Sequence, residues 1–230
     1  MLIIADKRIP EKAQEQLRSF GSLFELESSG IVYPAISGHP DIFMCNTGSS
    51  LIVAPNAPAE LYHFLTAHHV SFQRGTAKLG NEYPATSNFN AVVTEKYLVH
   101  NLKHTDKSIL EACQEKIHIH VNQAYTRCNL IALNEADFIT SDKGIEKALK
   151  KQMLNVLYFD PAGIVLPGFV NGFFGGCCGI NGNNLFITGS LKYYKQKDSV
   201  MDFIKNCRSG LIELYDGKLF DAGGIFFINQ

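Results

Sequence analysis

No apolar run in this sequence approaches the roughly 18–20 residues that a membrane-crossing helix requires, so a membrane partner is not expected. Neither charge predominates: 21 Lys and Arg face 22 Asp and Glu, for a formal net charge of -1. Nucleic acid is not expected as a partner either, because its capture needs clustered cations beyond the average. The six cysteines (Cys45, Cys113, Cys128, Cys177, Cys178 and Cys207) are too sparse for a disulfide scaffold, which points to a reduced, cytoplasmic setting. The opening MLIIADKRIPEK turns charged by its sixth residue and lacks the parts of a signal peptide. What is present is ordinary globular composition, 46% hydrophobic and 19% charged over 230 residues, enough to bury a large core.

An internal repeat organises the chain. Residues 126–159 read as an apolar run (CNLIAL), a turn (NEA), a strand (DFIT), a helix (SDKGIEKALKKQ) and a last strand (NVLYF). Ser141 and Asp142 are N-cap candidates, Glu146 lies in the first turns and lysines lie toward the end, as the helix dipole favours. The same ββαβ order recurs over 41–74, 88–121 and 175–214. Thr47, Thr94, Asn134 and Asn181 open the corresponding turns. Residues 1–27 supply a strand, a helix and a strand, whereas 217–230 end in DAGGIFFINQ, a first strand with Asn229 at the turn position. The two ends therefore complete one another as a fifth unit. The expected architecture is a single α/β domain, a ring of five ββαβ units closed by the C-terminal strand, which also removes exposed sheet edges.

This five-unit grammar resembles the pentein, or α/β-propeller, superfamily over nearly the whole chain. That superfamily includes the guanidino-group-modifying enzymes (arginine and agmatine deiminases, dimethylarginine dimethylaminohydrolase, amidinotransferases) and a non-enzymatic ribosome anti-association factor. The nearest likeness is to an uncharacterised bacterial family with the guanidino-modifying-enzyme fold. The resemblance implies that the first strand of each unit lines a central channel. The residues it nominates for ligand binding are Cys45, Asn46, Asn88, Asn90, Arg127, Cys128, Asn129 and Asp221. That is a polar set for core strands, since each buried polar group needs a partner. The plainer alternative is that these are turn and strand-end residues satisfied by backbone.

In the resembled enzymes a cysteine thiolate attacks the guanidinium carbon, a histidine moves protons and carboxylates hold the planar cation. Their cysteine follows a glycine-rich stretch, the place taken here by Cys177 and Cys178 in FFGGCCGING, with Cys178 the first choice and strand alternation letting one of the two face the channel. The unit in which those enzymes carry a His-Leu-Asp stretch reads TRCNLIALNEA here, without histidine, and Asp221-Ala-Gly-Gly is the nearest echo of their acidic stretch. His39 and Asp41, in GHPDI, are the nominated proton shuttle and cation acceptor, with His100 next. A zinc site from Cys45, Cys128, Cys177, Cys178 and His39 has no CxxC pair behind it, and His118-x-His120 is strand alternation. A vicinal disulfide is disfavoured in a reducing compartment. The glycine-rich stretch lacks the Walker Lys-Ser/Thr of a phosphate loop, so neither metal nor cofactor is expected.

Two functions remain open on these residues. One is a cysteine-dependent hydrolase or transferase acting on a small guanidino or amidine compound in the channel. The other is a non-catalytic ring that binds a small ligand or a protein or ribosomal partner. Residues 75–87 and 160–174, the long Gly- and Pro-containing connections, are placed to fold over the channel mouth.

Overall fold

The structure, a computed structural model, describes residues 1–228. Asn229, expected at a turn, lies outside the described residues. Strands β1 (Leu2–Asp6) and β2 (Ser22–Leu26) pair in parallel. A second sheet contains β3 (Met44–Asn46), β4 (Leu51–Val53) and β5 (Phe72–Arg74), and a third contains β6 (Val92–Val93), β7 (Tyr97–His100) and β8 (Ile117–His120). The fourth is built from β9 (Leu130–Ala132), β10 (Asp137–Thr140) and β11 (Asn155–Tyr158), and the fifth from β12 (Cys178–Asn181), β13 (Asn184–Ile187) and β14 (Gly210–Glu213). Strand β15 (Phe226–Ile228) returns to β1 and pairs antiparallel, Ile4 opposite Phe226.

Every sheet thus has three strands, the central one antiparallel to its first neighbour and parallel to the other. The parallel pair requires a crossover, and one helix per unit supplies it: Glu11–Phe20, Ala59–Ala67, Lys107–Ala112, Lys143–Lys151 and Lys197–Asn206. These are the five ββαβ units read from the sequence. Among the described residues no sheet closes on itself.

The helices hold by an i, i+4 apolar stripe: Ala13 and Leu17, Leu61 and Leu65, Ile145 and Leu149, Val200 and Ile204 are all buried. Each large aliphatic side chain so buried contributes about 1.5–3 kcal/mol relative to exposure. Asp142 caps its helix by accepting the Ile145 N–H at 2.8 Å, and Lys150 pairs with Glu146 one turn back. Ser141 instead reaches across units, its hydroxyl accepting the Phe174 N–H at 2.8 Å.

One expectation is corrected. The first strands begin later than the apolar runs suggest, because a helical turn precedes three of them: Pro40–Phe43 before β3, Thr126–Asn129 before β9 and a 3-10 turn, Gly175–Cys177, before β12. Proline at the first position sets φ for such a turn and has no N–H to leave unpaired. Asp41, Arg127, Cys128, Asn129 and Cys177 therefore sit on helical turns, not on channel-facing strands. Asn88 and Asn90 lie in the turn ahead of β6. Among the described residues no helix is long and apolar enough to cross a membrane.

Candidate functional site

The turns that open the units bond to one another. Asp41 donates its N–H to the Gly223 carbonyl at 3.2 Å, and Asn90 Nδ2 donates to the Asp41 carbonyl at 3.1 Å. Arg127 donates its N–H to the Asn90 carbonyl at 2.9 Å, and Asn90 Oδ1 accepts the Cys128 N–H at 3.1 Å. The Arg127 guanidinium forks onto the next unit, Nη1 to the Gly175 carbonyl at 2.7 Å and Nη2 to the Cys178 carbonyl at 2.8 Å. Gly176 in turn accepts the N–H groups of Ala222 and Gly224 at 3.0 and 2.7 Å. Such close approach explains two glycines. A Cβ on Gly176 would lie 1.9 Å from Asp221 Oδ1, and Gly223, at φ +67°, would drive one to 2.2 Å from His39 Cβ.

Inside this belt lies a buried polar cluster. The Cys128 thiol donates to Asp41 Oδ2 at 3.1 Å, and Asn90 Nδ2 donates toward the Cys128 sulfur at 3.3 Å. One ring nitrogen of His39, one carboxylate oxygen of Asp41 and Cys128 Sγ lie within 4.8 Å of one another, the spacing a shared cation would need. His39 Nε2 faces Asp6 Oδ2 at 3.9 Å, and Asp6 is itself gripped by Arg8, whose Nε donates to Oδ1 at 2.9 Å. His39 Nδ1 and Asp41 Oδ1 are buried without a hydrogen-bond partner. Asp221 is fully engaged, accepting the Gly223 and Phe173 N–H groups at 3.1 and 2.8 Å.

Burial dominates the ionisation of these groups. It raises the Asp41 carboxyl to about 7, against the opposing pull of the Arg127 charge, and raises Asp221 to about 6. It lowers His39 to about 4, so the imidazole is neutral at neutral pH. The Cys128 thiol is pushed well up by burial and then by the neighbouring Asp41 charge, consistent with a protonated sulfur that donates.

The nominated residues divide into two groups. His39, Asp41, Asn90 and Cys128 come together as described, with Arg127 and Asp221 bordering them. Cys177 and Cys178 instead point into an apolar cluster with Phe174, Leu185 and Ile187, their thiols donating to the Phe173 and Phe174 carbonyls at 3.3 and 3.0 Å. Burial pushes both thiols up. Cys45 is buried in another apolar cluster, Asn46 is exposed at the end of β3 with its Oδ1 on the Gly48 N–H, and Asn129 Nδ2 is taken by the Tyr125 carbonyl. Asn88 is half-buried and gives its carbonyl to the Asp106 N–H.

Sequence reasoning missed Asp6, Arg8, Tyr33 and Tyr125. Burial raises the Tyr33 phenol, and the charges of Asp221 and Asp41 add to the rise. Its hydroxyl is 3.3 Å from that of Tyr125, which also bonds Thr86. The two long connections meet this pair: Phe169 stands 6.2 Å from the Tyr33 ring and Tyr83 5.8 Å from the Tyr125 ring. An acidic residue ending the apolar strand LIIAD was the one local sign of Asp6. The tyrosines sit between units and carry no sign in the repeat. On another side of Arg127 lies a basin of about 350 Å³, lined by Asn46, Thr94, Arg127, Glu135, Ile180 and Phe226, which come from all five units.

Comparison with known proteins places this geometry. Residues 4–226 match a family described as "Family of unknown function (DUF6873)". No curated protein matches the chain. Among solved structures it is similar to dimethylarginine dimethylaminohydrolase from Pseudomonas aeruginosa, a cysteine-to-serine mutant complexed with citrulline (10% identity, TM-score 0.56, 92% of this chain and 91% of that one). It is similar also to C. jejuni agmatine deiminase (8%, TM-score 0.54, 93% and 87%) and to an amidinotransferase from Microseira wollei of the saxitoxin pathway (10%, TM-score 0.51, 92% and 87%). At such identities the likeness establishes the fold, which is the pentein fold of guanidino-modifying enzymes, and no more.

Proposed function

We propose that this chain, which belongs to the DUF6873 family, is a cysteine-dependent hydrolase or transferase acting on a small guanidino or amidine compound. The observation that carries this reading is the Cys128–Asp41 contact at 3.1 Å with His39 alongside, in a fold whose similar structures include an agmatine deiminase and an amidinotransferase. The five units form one domain and close as a ring through the hydrogen-bonded belt of opening turns, with the site inside it. Six free cysteines fit a reducing, cytoplasmic setting, and a net charge of -1 fits a small-molecule ligand better than nucleic acid.

In this reading Cys128 takes the nucleophile's role in preference to Cys178, because its sulfur faces groups able to move a proton and Cys178 faces a backbone carbonyl. The thiol proton passes to Asp41 as sulfur bonds the amidine carbon. The amine leaves with that proton, relayed from Asp41 through His39. Water or an acceptor amine then takes the carbon from sulfur, and the proton it gives up returns through Asp41 to restore the Cys128 thiol. Asp41 and Asp221 match a cationic ligand, whose charge favours the thiolate that burial opposes.

The test is labelling of the full chain by a chloroacetamidine-type probe at neutral pH, mapped by mass spectrometry. Rapid, single modification of Cys128 is expected. Labelling no faster than that of a peptide thiol would sink the reading, and modification of Cys178 instead would move the nucleophile there. A non-catalytic ring holding a small ligand or a protein partner is the second reading. It is favoured by the closure of the site, where His39, Asp41 and Cys128 are at most 4% exposed.

A further inference from the structure

The geometry points to a zinc-class metal site formed by His39, Asp41 and Cys128, with a fourth coordination position left open. The starting observation is a pair of buried orphans. His39 Nδ1 and Asp41 Oδ1 have no hydrogen-bond partner, in residues that are 2% and 0% exposed. An unsatisfied buried polar atom costs about 1–3 kcal/mol, so two of them on one rigid tripeptide require an explanation. Their residues each bring a donor atom within 4.8 Å of the other's and of Cys128 Sγ. Such a donor set is satisfied by a shared Lewis acid.

The supporting parts are those of a built site. His39 and Asp41 flank Pro40, which begins a helical turn and fixes the direction of both donors. Cys128 is held from the neighbouring unit by its N–H bond to Asn90 Oδ1. Asp6 stands behind His39, its Oδ2 3.9 Å from Nε2, and is itself locked by Arg8, so its negative charge favours a proton on Nε2 over one on Nδ1. The three donor atoms lie within 4.8 Å of one another. A tetrahedral ion with bonds of about 2.0–2.3 Å holds its ligands roughly 3.3–3.8 Å apart, so rotamer adjustments of about 1 Å complete the site.

The donor set selects the ion. One nitrogen, one carboxylate oxygen and one sulfur suit zinc or cobalt, whereas magnesium and calcium take oxygen ligands. Both Asp221 oxygens are committed to backbone N–H groups, so the fourth position falls to water or a small ligand, as in zinc sites that do chemistry rather than hold structure. On binding, the thiol proton leaves to solvent and sulfur ligates as thiolate. The carboxylates of Asp41 and Asp221 and that thiolate then balance the divalent ion and the Arg127 guanidinium, leaving the locality neutral. This assignment goes beyond the thiol chemistry proposed above and stands without it, since the ion and an amidine compete for one sulfur.

The experiment is titration of the chelator-treated full chain with Co²⁺ and Zn²⁺. One equivalent of Co²⁺ is expected to bind with a thiolate-to-cobalt charge-transfer band in the near ultraviolet, displaced by Zn²⁺. Cys128→Ser should abolish the band, and His39→Gln and Asp41→Asn should each weaken binding at least about tenfold. Absence of the band overturns the assignment, and so does a band that persists in Cys128→Ser, which would put the ion on another cysteine. Should Cys128→Ser fail to fold, alkylation of the wild-type chain decides. Zn²⁺ must protect Cys128, and unchanged labelling of that residue refutes the site. Chloroacetamidine labelling of the metal-free chain is read separately, so the two proposals fail independently.

Discussion

His39 and His100 are both buried histidines near the start of a connection, and both are held to about pH 4 by burial. Their surroundings differ in one respect. His100 donates from Nε2 to the Ala124 carbonyl at 2.8 Å, and its Nδ1 shares a 2.8 Å bond with the Thr105 hydroxyl. Every polar atom of that ring is used, so it is a strut between the end of β7 and the segment leading to Cys128. His39 has a carboxylate at 3.9 Å on one side and nothing on the other. The cysteines repeat the contrast, Cys178 closed onto a carbonyl and Cys128 facing a carboxylate. Burial alone does not distinguish a structural polar group from a functional one. Its unspent valence does.

The contrast can be broken by mutation. His100→Leu removes both hydrogen bonds and leaves the Ala124 carbonyl without its side-chain donor, so a loss of about 3 kcal/mol in urea unfolding is expected. The depressed value of His100 gives a second effect of nearly that size. Between pH 6.5 and about 4 the unfolded chain binds a proton at this position and the folded chain does not, so stability falls as pH falls through that window. The charges of His104 and His120 lower the His100 value further. His100→Gln should remove up to about 3 kcal/mol of the decline, measured as unfolding midpoints at pH 7 and pH 4.5. An unchanged slope would show that His100 does not stay neutral in the fold.

Smaller effects sharpen the comparison. Cys178→Ala empties a packed apolar position and should lower stability by about 1–2 kcal/mol. His39→Leu loses no hydrogen bond and relieves one orphan, so its cost at pH 7 should stay within about 1 kcal/mol. A loss equal to that of His100→Leu would erase the distinction between the two rings. Cys128→Ser keeps a donor for Asp41 and should shift stability least, within about 0.5 kcal/mol by thermal or urea midpoint.

The units, their order and the return of the last strand to the first were legible because they rest on periodicity, turn residues and caps, all local signals. The helical turns before β3, β9 and β12 were not, since runs such as CNLIAL are equally apolar as strand or as turn, and what decides is contact with a neighbouring unit. Gly175 shows this, lying so close to the Thr126–Asn129 turn that a Cβ would sit 2.3 Å from the Arg127 carbonyl. Within the site, GHPDI singled out His39 and Asp41 as a pair close in sequence. Cys128 appeared only in a longer polar set and in a disfavoured zinc grouping with His39, because its approach to Asp41 is made by two units folding together. Asp6 ends a central strand where the other units carry no acid, and Tyr33 lies between units.

The return of β15 to β1 also has a consequence in time. While the chain is being made, β1 and its helix emerge ahead of the other four units, yet the antiparallel partner of β1 is synthesised only after them. The first unit must wait with one strand edge unsealed while the second, third, fourth and fifth sheets assemble from neighbouring residues. The longest-range strand pairing among the described residues is then expected to form last, and nascent chains halted before Phe226 should be sensitive to protease at their N-terminal unit while the middle units resist.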